Sequence, residues 1–464
     1  MHNLRTLLLL TTVAGTNAQA TVAPQSTGFN SSFALSRAQI EKASLSEDMA
    51  ASLNTVINFD RSQLANGGPR EDAFYLLPPL SPNTTGPPPS GTPLRAQRFT
   101  DPAPFAIPPN TALSRILYTT TNTNGTVVPA SAFVLWPFEA RRFPGPGSGY
   151  SPAPSTHRAL WYADAALFTL AQAGYAVVGS DYAGLGVSES WDGSAIPHEY
   201  LVSSAGARDA LNALRAAREA FAELLEPRFV AMGHSQGVAE ALASDEFADL
   251  AGGYLGTIAA SPTTDVFGGL PEFIVSWIGM MLDSIFPDFE LSQWLTPLGV
   301  ARTELLREVE GGIAVGQQLY FTGEAIVRED YRDTWYADAY AKLANVGRKP
   351  FRGPLLVVQG TEDVYIPFDI TSATVRDTCE VNPENDLEYL VINGTQHVPT
   401  MHATRQTWLR WIEDRFEARP LAKSGCVRSD LESFLPAEQY QSTGKSFPQW
   451  AGAPEYSYEI PLGL

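Results

Sequence analysis

Cysteine is scarce in this sequence, with only 2 cysteines among 464 residues. A chain of this length can bury an apolar core without covalent cross-links, so it is not a disulfide-dense miniprotein. Basic residues are also few, because 31 lysines and arginines stand against 50 aspartates and glutamates, for a net charge of −19. Such a charge repels phosphate backbones, which excludes nucleic acid as the main partner.

Long apolar runs and metal-ligand patterns are missing too. After the first twenty residues, no stretch reaches the roughly 18 consecutive apolar residues that a membrane-spanning helix needs, so we expect no stable membrane insertion. The 6 histidines are scattered, and with two cysteines they give no metal-ligand spacing. We therefore expect neither a metal nor another cofactor. A content of 44% hydrophobic and 11% aromatic residues excludes a disordered chain.

The first twenty residues have the pattern of a secretory signal peptide. Arg5 precedes an apolar run at 7–14, and Ala18 and Ala20 are the small residues that a signal peptidase accepts. We expect this segment to be removed and the protein to be secreted. Four N-x-S/T sequons fit a secreted glycoprotein: Asn30, Asn83, Asn124 and Asn393.

The two cysteines of a secreted chain most often pair with each other. A Cys379–Cys426 bridge would close a loop that contains His397. Loop-entropy scaling gives such a cross-link a stabilisation of about 4 kcal/mol.

Apolar patterning predicts an α/β fold. Asn124-Gly125 separates two β-rich runs, which indicates a hairpin. From residue 159 onward strands alternate with helices, and this order predicts a doubly wound, mostly parallel sheet. The predicted strands are 175–179, 229–232, 254–260, 354–359 and 387–392, and the predicted helices are 160–173, 203–225, 238–247, 368–376 and 402–416.

The remaining segments flank or interrupt this core. A wide apolar helix face that includes Ile274, Trp277 and Ile278 fits either plain core packing or a helical cap over the site. The predicted organisation is a signal peptide (1–20), an N-terminal arm with an extended Pro-rich tract (21–112), an α/β core (113–261 and 347–420), a helical cap (262–346) and a C-terminal tail (421–464).

Gly233-His234-Ser235-Gln236-Gly237 lies between a predicted strand and a predicted helix. Glycines permit a sharp turn there, which would hold Ser235 in strained geometry with its hydroxyl exposed above the sheet. The backbone N–H of Gln236, at the start of the following helix, would face a developing oxyanion. This context predicts that Ser235 is a nucleophile.

A serine nucleophile needs a base, and the base needs an orienting carboxylate. His397 follows the last predicted strand in a loop, and Asp363 follows the strand before it. We predict a triad of Ser235, Asp363 and His397, with His402 and Glu362 as the alternative base and carboxylate. We interpret His157 and His198 as surface residues.

These motifs, with Ser180-Asp181-Tyr182-Ala-Gly-Leu-Gly, resemble the α/β-hydrolase superfamily, particularly the fungal secretory lipases and esterases, over roughly 113–418. The resemblance implies hydrolysis of small lipophilic carboxylic esters through an acyl-enzyme, with contact with a lipid interface. A serine peptidase of the same fold is an alternative.

One feature departs from that family. Its members carry a strand between the hairpin and the first helix, followed by a loop such as His-Gly-Thr that donates to the oxyanion. Residues 137–158 show no buried-strand pattern, and no His-Gly dipeptide occurs in the chain. We therefore expect one central strand and its oxyanion loop to be missing. A catalytically impaired or non-catalytic secreted glycoprotein is the alternative that this departure favours.

Overall fold

Alternating strands and helices form two sheets with helices packed on their faces. The computed structural model describes residues 32–83, 86–141, 155–160, 165–236, 243, 245–250 and 252–440. Its strands are β1 (Pro93–Gln97), β2 (Thr111–Thr121), β3 (Val127–Pro137), β4 (Val177–Ser180), β5 (Phe229–His234), β6 (Tyr254–Ala260), β7 (Leu355–Gly360), β8 (Leu387–Ile392) and β9 (Cys426–Leu431).

Eleven α-helices are assigned within the described ranges. They are α1 (Arg37–Lys42), α2 (Glu47–Ser62), α3 (Leu167–Gln172), α4 (Ser203–Ala220), α5 (Glu272–Met281), α6 (Pro297–Glu308), α7 (Ile313–Tyr320), α8 (Trp335–Ala344), α9 (Phe368–Val381), α10 (His397–Ala403) and α11 (Arg405–Phe416). None of the helices in the described part of the chain has the length and apolar character needed to cross a membrane.

The first sheet is antiparallel, with strand order β1-β2-β3-β4. The predicted hairpin is confirmed, because β2 and β3 pair in unbroken register from Thr111 opposite Pro137 to Thr121 opposite Val127. Gly125 in its turn has φ +86°, a conformation that glycine adopts without steric penalty. β4 then adds to the outer edge of β3.

The second sheet is parallel, with strand order β5-β6-β7-β8-β9. Four of its strands were predicted, and their burial on both faces is typical of strands covered by helices. The fifth, β9, lies in the segment predicted to be a tail, and it pairs with β8 along its whole length. The expected disulfide is present: Cys379 of α9 and Cys426 of β9 are joined, with their Cα atoms 5.8 Å apart.

The sheet is divided where the missing central strand was expected. Within the described ranges, no strand hydrogen-bonds to either β4 or β5 across the space between the two sheets. One apolar cluster nevertheless contains Phe133 and Val177 from the first sheet together with Val230 and Met232 from the second. The two sheets therefore share a core, although no ladder of backbone hydrogen bonds joins them in the part of the chain that the structure describes.

The N-terminal arm is more structured than the sequence indicated. Helices α1 and α2 pack on the segment between β6 and β7, and one apolar cluster joins Leu53 and Val56 of α2 to Ile278 of α5 and Leu319 of α7. The Asp60 carboxyl contacts the backbone N–H of Gly312, just before α7. The arm and the expected cap thus form one apolar body.

Two predicted helices differ from the structure. The helix predicted from Leu160 is confirmed only over α3, since Leu160 lies in a turn with φ +47° and residues 161–164 lie outside the described ranges. The helix predicted over 238–247 also falls largely outside them, and its described end is a short 3₁₀ turn at Asp245–Phe247. The signal-peptide prediction and Asn30 likewise fall outside the described residues.

Candidate active site

Ser235 lies in a strained turn directly after β5. Its φ is +60°, a left-handed conformation that is costly for a residue with a Cβ. Two backbone hydrogen bonds hold it there: the Ser235 N–H donates to the carbonyl of Ala260 at 3.0 Å, and the Ser235 carbonyl accepts from Thr263 N–H at 3.2 Å. This geometry is that of a nucleophile elbow.

Asp363 follows β7 and its carboxylate is surrounded by donors. Oδ1 accepts from the backbone N–H groups of Tyr365 (3.0 Å) and Ile366 (2.9 Å). Oδ2 accepts from His397 Nδ1 at 2.7 Å and from Gln359 Nε2 at 3.2 Å. Burial acts to raise the pKa of Asp363, but the His397 contact and the two backbone donors outweigh it, so the pKa lies below its ordinary value. Asp363 is therefore ionised at neutral pH.

His397 is the first residue of α10, whereas the sequence predicted that it lies in a loop. Its side chain is 9% exposed. Because Nδ1 donates to Asp363, the neutral imidazole carries its lone pair on Nε2, where it can accept a proton. The His397 ring lies 5.2 Å from the ring of Tyr365 and 4.4 Å from that of His234.

His234 connects the elbow to the base. Its Nε2–H donates to the backbone carbonyl of His397 at 3.2 Å. Burial, together with the nearby His397, lowers the pKa of His234 to about 3, so this ring is neutral. Because Ser235 is the next residue in the chain, the contact brings the turn that carries the hydroxyl to the segment that carries the imidazole.

The two alternative residues are separated from this arrangement. Glu362 is exposed, whereas the neighbouring Asp363 is buried. His402 is exposed on α10, and its Nδ1 accepts from Arg405 at 2.8 Å. Of the predicted candidates, the structure places Asp363 and His397 within hydrogen-bond distance, and Ser235 follows His234, whose ring contacts the His397 carbonyl.

The interpretation of His157 and His198 as surface residues is wrong. His157 is 6% exposed, and burial lowers its pKa to about 4. His198 is half-buried beside the elbow, where its Nδ1–H donates to the carbonyl of Ala183 (3.2 Å) and its Nε2 accepts from the side-chain amide of Gln236 at 3.4 Å. No pattern in the sequence indicates this contact, because residues 198 and 236 are distant along the chain and lie on different elements.

Gln359 is a second residue that sequence reasoning missed. It is fully buried in β7, and its Nε2 also donates to the carbonyl of Ile366 at 3.0 Å. Its Oε1 accepts from Thr371 at 3.2 Å. One signal for it was available in the sequence: Gln359 ends the apolar run of a predicted buried strand. A buried amide must have hydrogen-bond partners. It fixes the loop that presents Asp363.

A buried carboxyl marks the end of β4. The backbone N–H and the hydroxyl of Ser155 donate to Asp181, the latter at 2.6 Å, and Ser131 Oγ also donates to it. Burial raises the pKa of Asp181 to about 6, although these donors act in the opposite direction. These hydrogen bonds hold Ser155 and the chain that follows it against the end of β4.

Comparison with known proteins shows the family of this chain. A model of the alpha/beta hydrolase family matches residues 133–407, which is more than half of the chain. The chain belongs to the alpha/beta hydrolase family. The matched range of this α/β-hydrolase contains the elbow and both residues of the Asp363–His397 pair. Among curated proteins, none matches its sequence.

Solved structures show the same fold. Lipase A from Candida antarctica aligns with a TM-score of 0.61 and 17% identity, over 79% of this chain and 90% of that one. The rice cell wall degrading esterase LipA from Xanthomonas oryzae aligns with a TM-score of 0.55 and 19% identity, over 70% and 98% of the two chains. At these identities the likeness concerns the fold, which resembles that of a fungal lipase.

Proposed function

We propose that this α/β-hydrolase is a secreted serine carboxylic ester hydrolase of the lipase or esterase type. Ser235 is the nucleophile, His397 the base and Asp363 the carboxylate that orients it. The observation that carries the proposal is the 2.7 Å hydrogen bond from His397 Nδ1 to the buried Asp363. Ser235, held at φ +60°, directly follows His234, whose ring contacts the His397 carbonyl. A buried Asp–His pair next to a strained serine is the arrangement that activates a hydroxyl.

The reaction proceeds in two halves. The Ser235 hydroxyl attacks the ester carbonyl while His397 Nε2 takes its proton; the C–O bond to the alcohol then breaks, and the proton goes to the leaving alcohol. Water attacks the acyl-enzyme with His397 again as base, releasing the acid and restoring the hydroxyl. Asp363 stays ionised throughout and stabilises the imidazolium, which agrees with its lowered pKa.

The Gln236 backbone N–H is the proposed donor to the oxyanion. The contact between His198 and the Gln236 side chain restrains this residue from the side of β4. Family members use a second donor from the loop after the missing strand, and loss of one such donor slows catalysis by about 100- to 1,000-fold. We therefore expect turnover to be slow.

The proposed substrates are small lipophilic esters. The named functions of the structural neighbours, a lipase and a cell-wall-degrading esterase, support ester hydrolysis. The Cys379–Cys426 disulfide and the signal-peptide pattern support an oxidising, extracytoplasmic location.

A non-catalytic role is the second candidate, and the divided sheet favours it. Where no strand joins β4 to β5 in the described part of the chain, the loop that would supply the second oxyanion donor has no strand to position it. The protein would then be a secreted glycoprotein that retains the fold and the Asp–His pair.

A fluorophosphonate probe separates the two candidates, because only an activated serine is phosphonylated. We expect stoichiometric labelling that Ser235→Ala abolishes. Ser261→Ala is the matched control, since Ser261 also follows a strand of the second sheet at positive φ (+42°). A series of p-nitrophenyl esters and peptide anilides then defines the reaction. Labelling of folded protein that survives Ser235→Ala would refute the proposal, and no labelling would favour the non-catalytic role.

A further inference from the structure

A cavity lies away from the Asp363–His397 pair. It has a volume of about 300 Å³ and is enclosed by α4, α8, α9 and the loop that leads into β7. That volume is at the lower end of the range typical of small-molecule sites. None of Ser235, Gln236, Asp363 or His397 lines it.

The strand β7 separates the cavity from the candidate active site. Leu355 and Val357, in its first half, line the cavity, whereas Asp363 follows its last residue, Gly360. Three residue steps at about 3.3 Å each place Val357 about 10 Å from Gly360. A ligand in the cavity would therefore leave the triad unobstructed.

Apolar side chains form much of the cavity wall, beside polar residues such as Ser203 and Thr123. The apolar ones include buried side chains from β7, β8, α9 and the adjoining loops: Phe247, Phe351, Leu355, Val357, Val375 and Leu387. The threonine hydroxyls of α9 that line it are already bonded, since Thr378 Oγ1 donates to the carbonyl of Thr374 at 2.7 Å and Thr374 Oγ1 to Thr264 at 3.0 Å. Such walls suit a hydrocarbon chain, because each buried methylene contributes about 0.8 kcal/mol.

Cationic side chains stand at the solvent-exposed side of the cavity. The sequence has five lysines in total, and two of them, Lys342 and Lys349, line this cavity as exposed residues. Neither forms an ion pair with a carboxylate in the described ranges, whereas Lys42 and Lys423 do. Arg208 also lines the cavity, where it pairs with Glu246 at 3.0 Å.

This group of cations contrasts with the net charge of −19 that the whole chain carries. Three cations against one carboxylate leave the opening positive. A ligand that fits both the apolar wall and the positive opening has an anionic head and a hydrocarbon tail.

We propose that this cavity binds a medium-chain carboxylate, with its tail against the apolar walls and its carboxylate between Lys342 and Lys349. The ammonium groups supply charge-assisted hydrogen bonds to the carboxylate oxygens. The proposal does not depend on the catalytic role of Ser235, because the site is formed by other residues.

Decanoate binding to the full-length Ser235→Ala protein, measured by isothermal titration calorimetry, tests the proposal. We expect saturable binding of decanoate, binding of decanol that is about 10-fold weaker, and none of acetate. Lys342→Gln/Lys349→Gln should weaken decanoate binding about 10-fold and leave decanol binding unchanged. Lys423→Gln, which removes a lysine elsewhere, is the matched control and should bind decanoate normally.

A cavity-filling variant, Val375→Phe, provides an independent readout, with its folding checked by circular dichroism and thermal unfolding. We expect the folded variant to lose decanoate binding. Absence of saturable binding, or decanoate affinity unchanged by the lysine double substitution, would overturn the proposal. The double variant keeps the test decisive if Val375→Phe does not fold, since both lysines are exposed.

Discussion

Asp209 on α4 offers a sharp test of the electrostatics of the core. Its carboxylate is buried, accepting from Ala183 N–H at 2.9 Å and from Thr120 Oγ1 at 2.7 Å. Burial raises its pKa to about 7, with a further contribution from Glu199. Asp209→Asn preserves the shape, since the amide oxygen can accept from Ala183 and the amide nitrogen can donate to the Thr120 hydroxyl.

The magnitude follows from the difference between this pKa and the ordinary value of 3.8. Because the folded-state pKa is the higher one, protonation favours the folded state. This stabilisation is complete below about pH 4 and is lost as the pH rises through 7, by up to about 4 kcal/mol in all. Asparagine does not ionise, so Asp209→Asn should equal the wild type at low pH and exceed its stability at pH 8.5.

Urea unfolding followed by tryptophan fluorescence at pH 5, 6, 7 and 8.5 measures this difference. Asp60 and Asp181, whose pKa values burial raises to about 7 and about 6, leave a residual slope in the variant. The slope of the unfolding free energy against pH reports the difference in bound protons between the unfolded and the folded state. We expect Asp209→Asn to change that difference by about one proton. Exposed Asp192→Asn is the control. Parallel pH profiles for Asp209→Asn and wild type would refute the reasoning.

Three further outcomes are expected. Asp363→Asn should lower kcat for ester hydrolysis about 10⁴-fold with little change in KM, because His397 is left in the wrong tautomer. Equal rates for the variant and the wild type in stopped assays would exclude Asp363 as the orienting carboxylate. Replacing Cys379 and Cys426 with serine opens a 47-residue separation and should lower the unfolding free energy by about 4 kcal/mol; an unchanged urea midpoint would contradict this. His198→Leu should lower kcat more than it changes KM, and a change in KM alone would contradict a role in restraining Gln236.

The parts of the fold predicted from sequence are those with local chemical signals. Asn124-Gly125 specifies a hairpin turn by backbone conformation alone, and continuous apolar runs specify buried strands such as β5 and β7. The order Ser235, Asp363, His397 was predictable because each residue follows a recognisable strand. The structure accordingly brings Asp363 and His397 within hydrogen-bond distance.

The parts that were not predicted depend on contacts distant in sequence. Strand β9 alternates exposed and half-buried residues, and its strand state comes from pairing with β8. The arm helix α2 is stabilised by burial against α5 and α7, more than 200 residues away. His157 pairs as an isolated bridge with Leu64 of the same arm. Patterns within a short window cannot reveal such pairings.

The division of the sheet has a consequence for how the molecule opens. All strands of the antiparallel sheet come from residues 93–180, and all strands of the parallel sheet from residues 229–431. Because the two sheets share side-chain packing but, in the described residues, no backbone ladder, each half can exchange its amide protons as a separate cooperative unit. Native-state hydrogen exchange would then show two protection plateaus, with the boundary between β4 and β5.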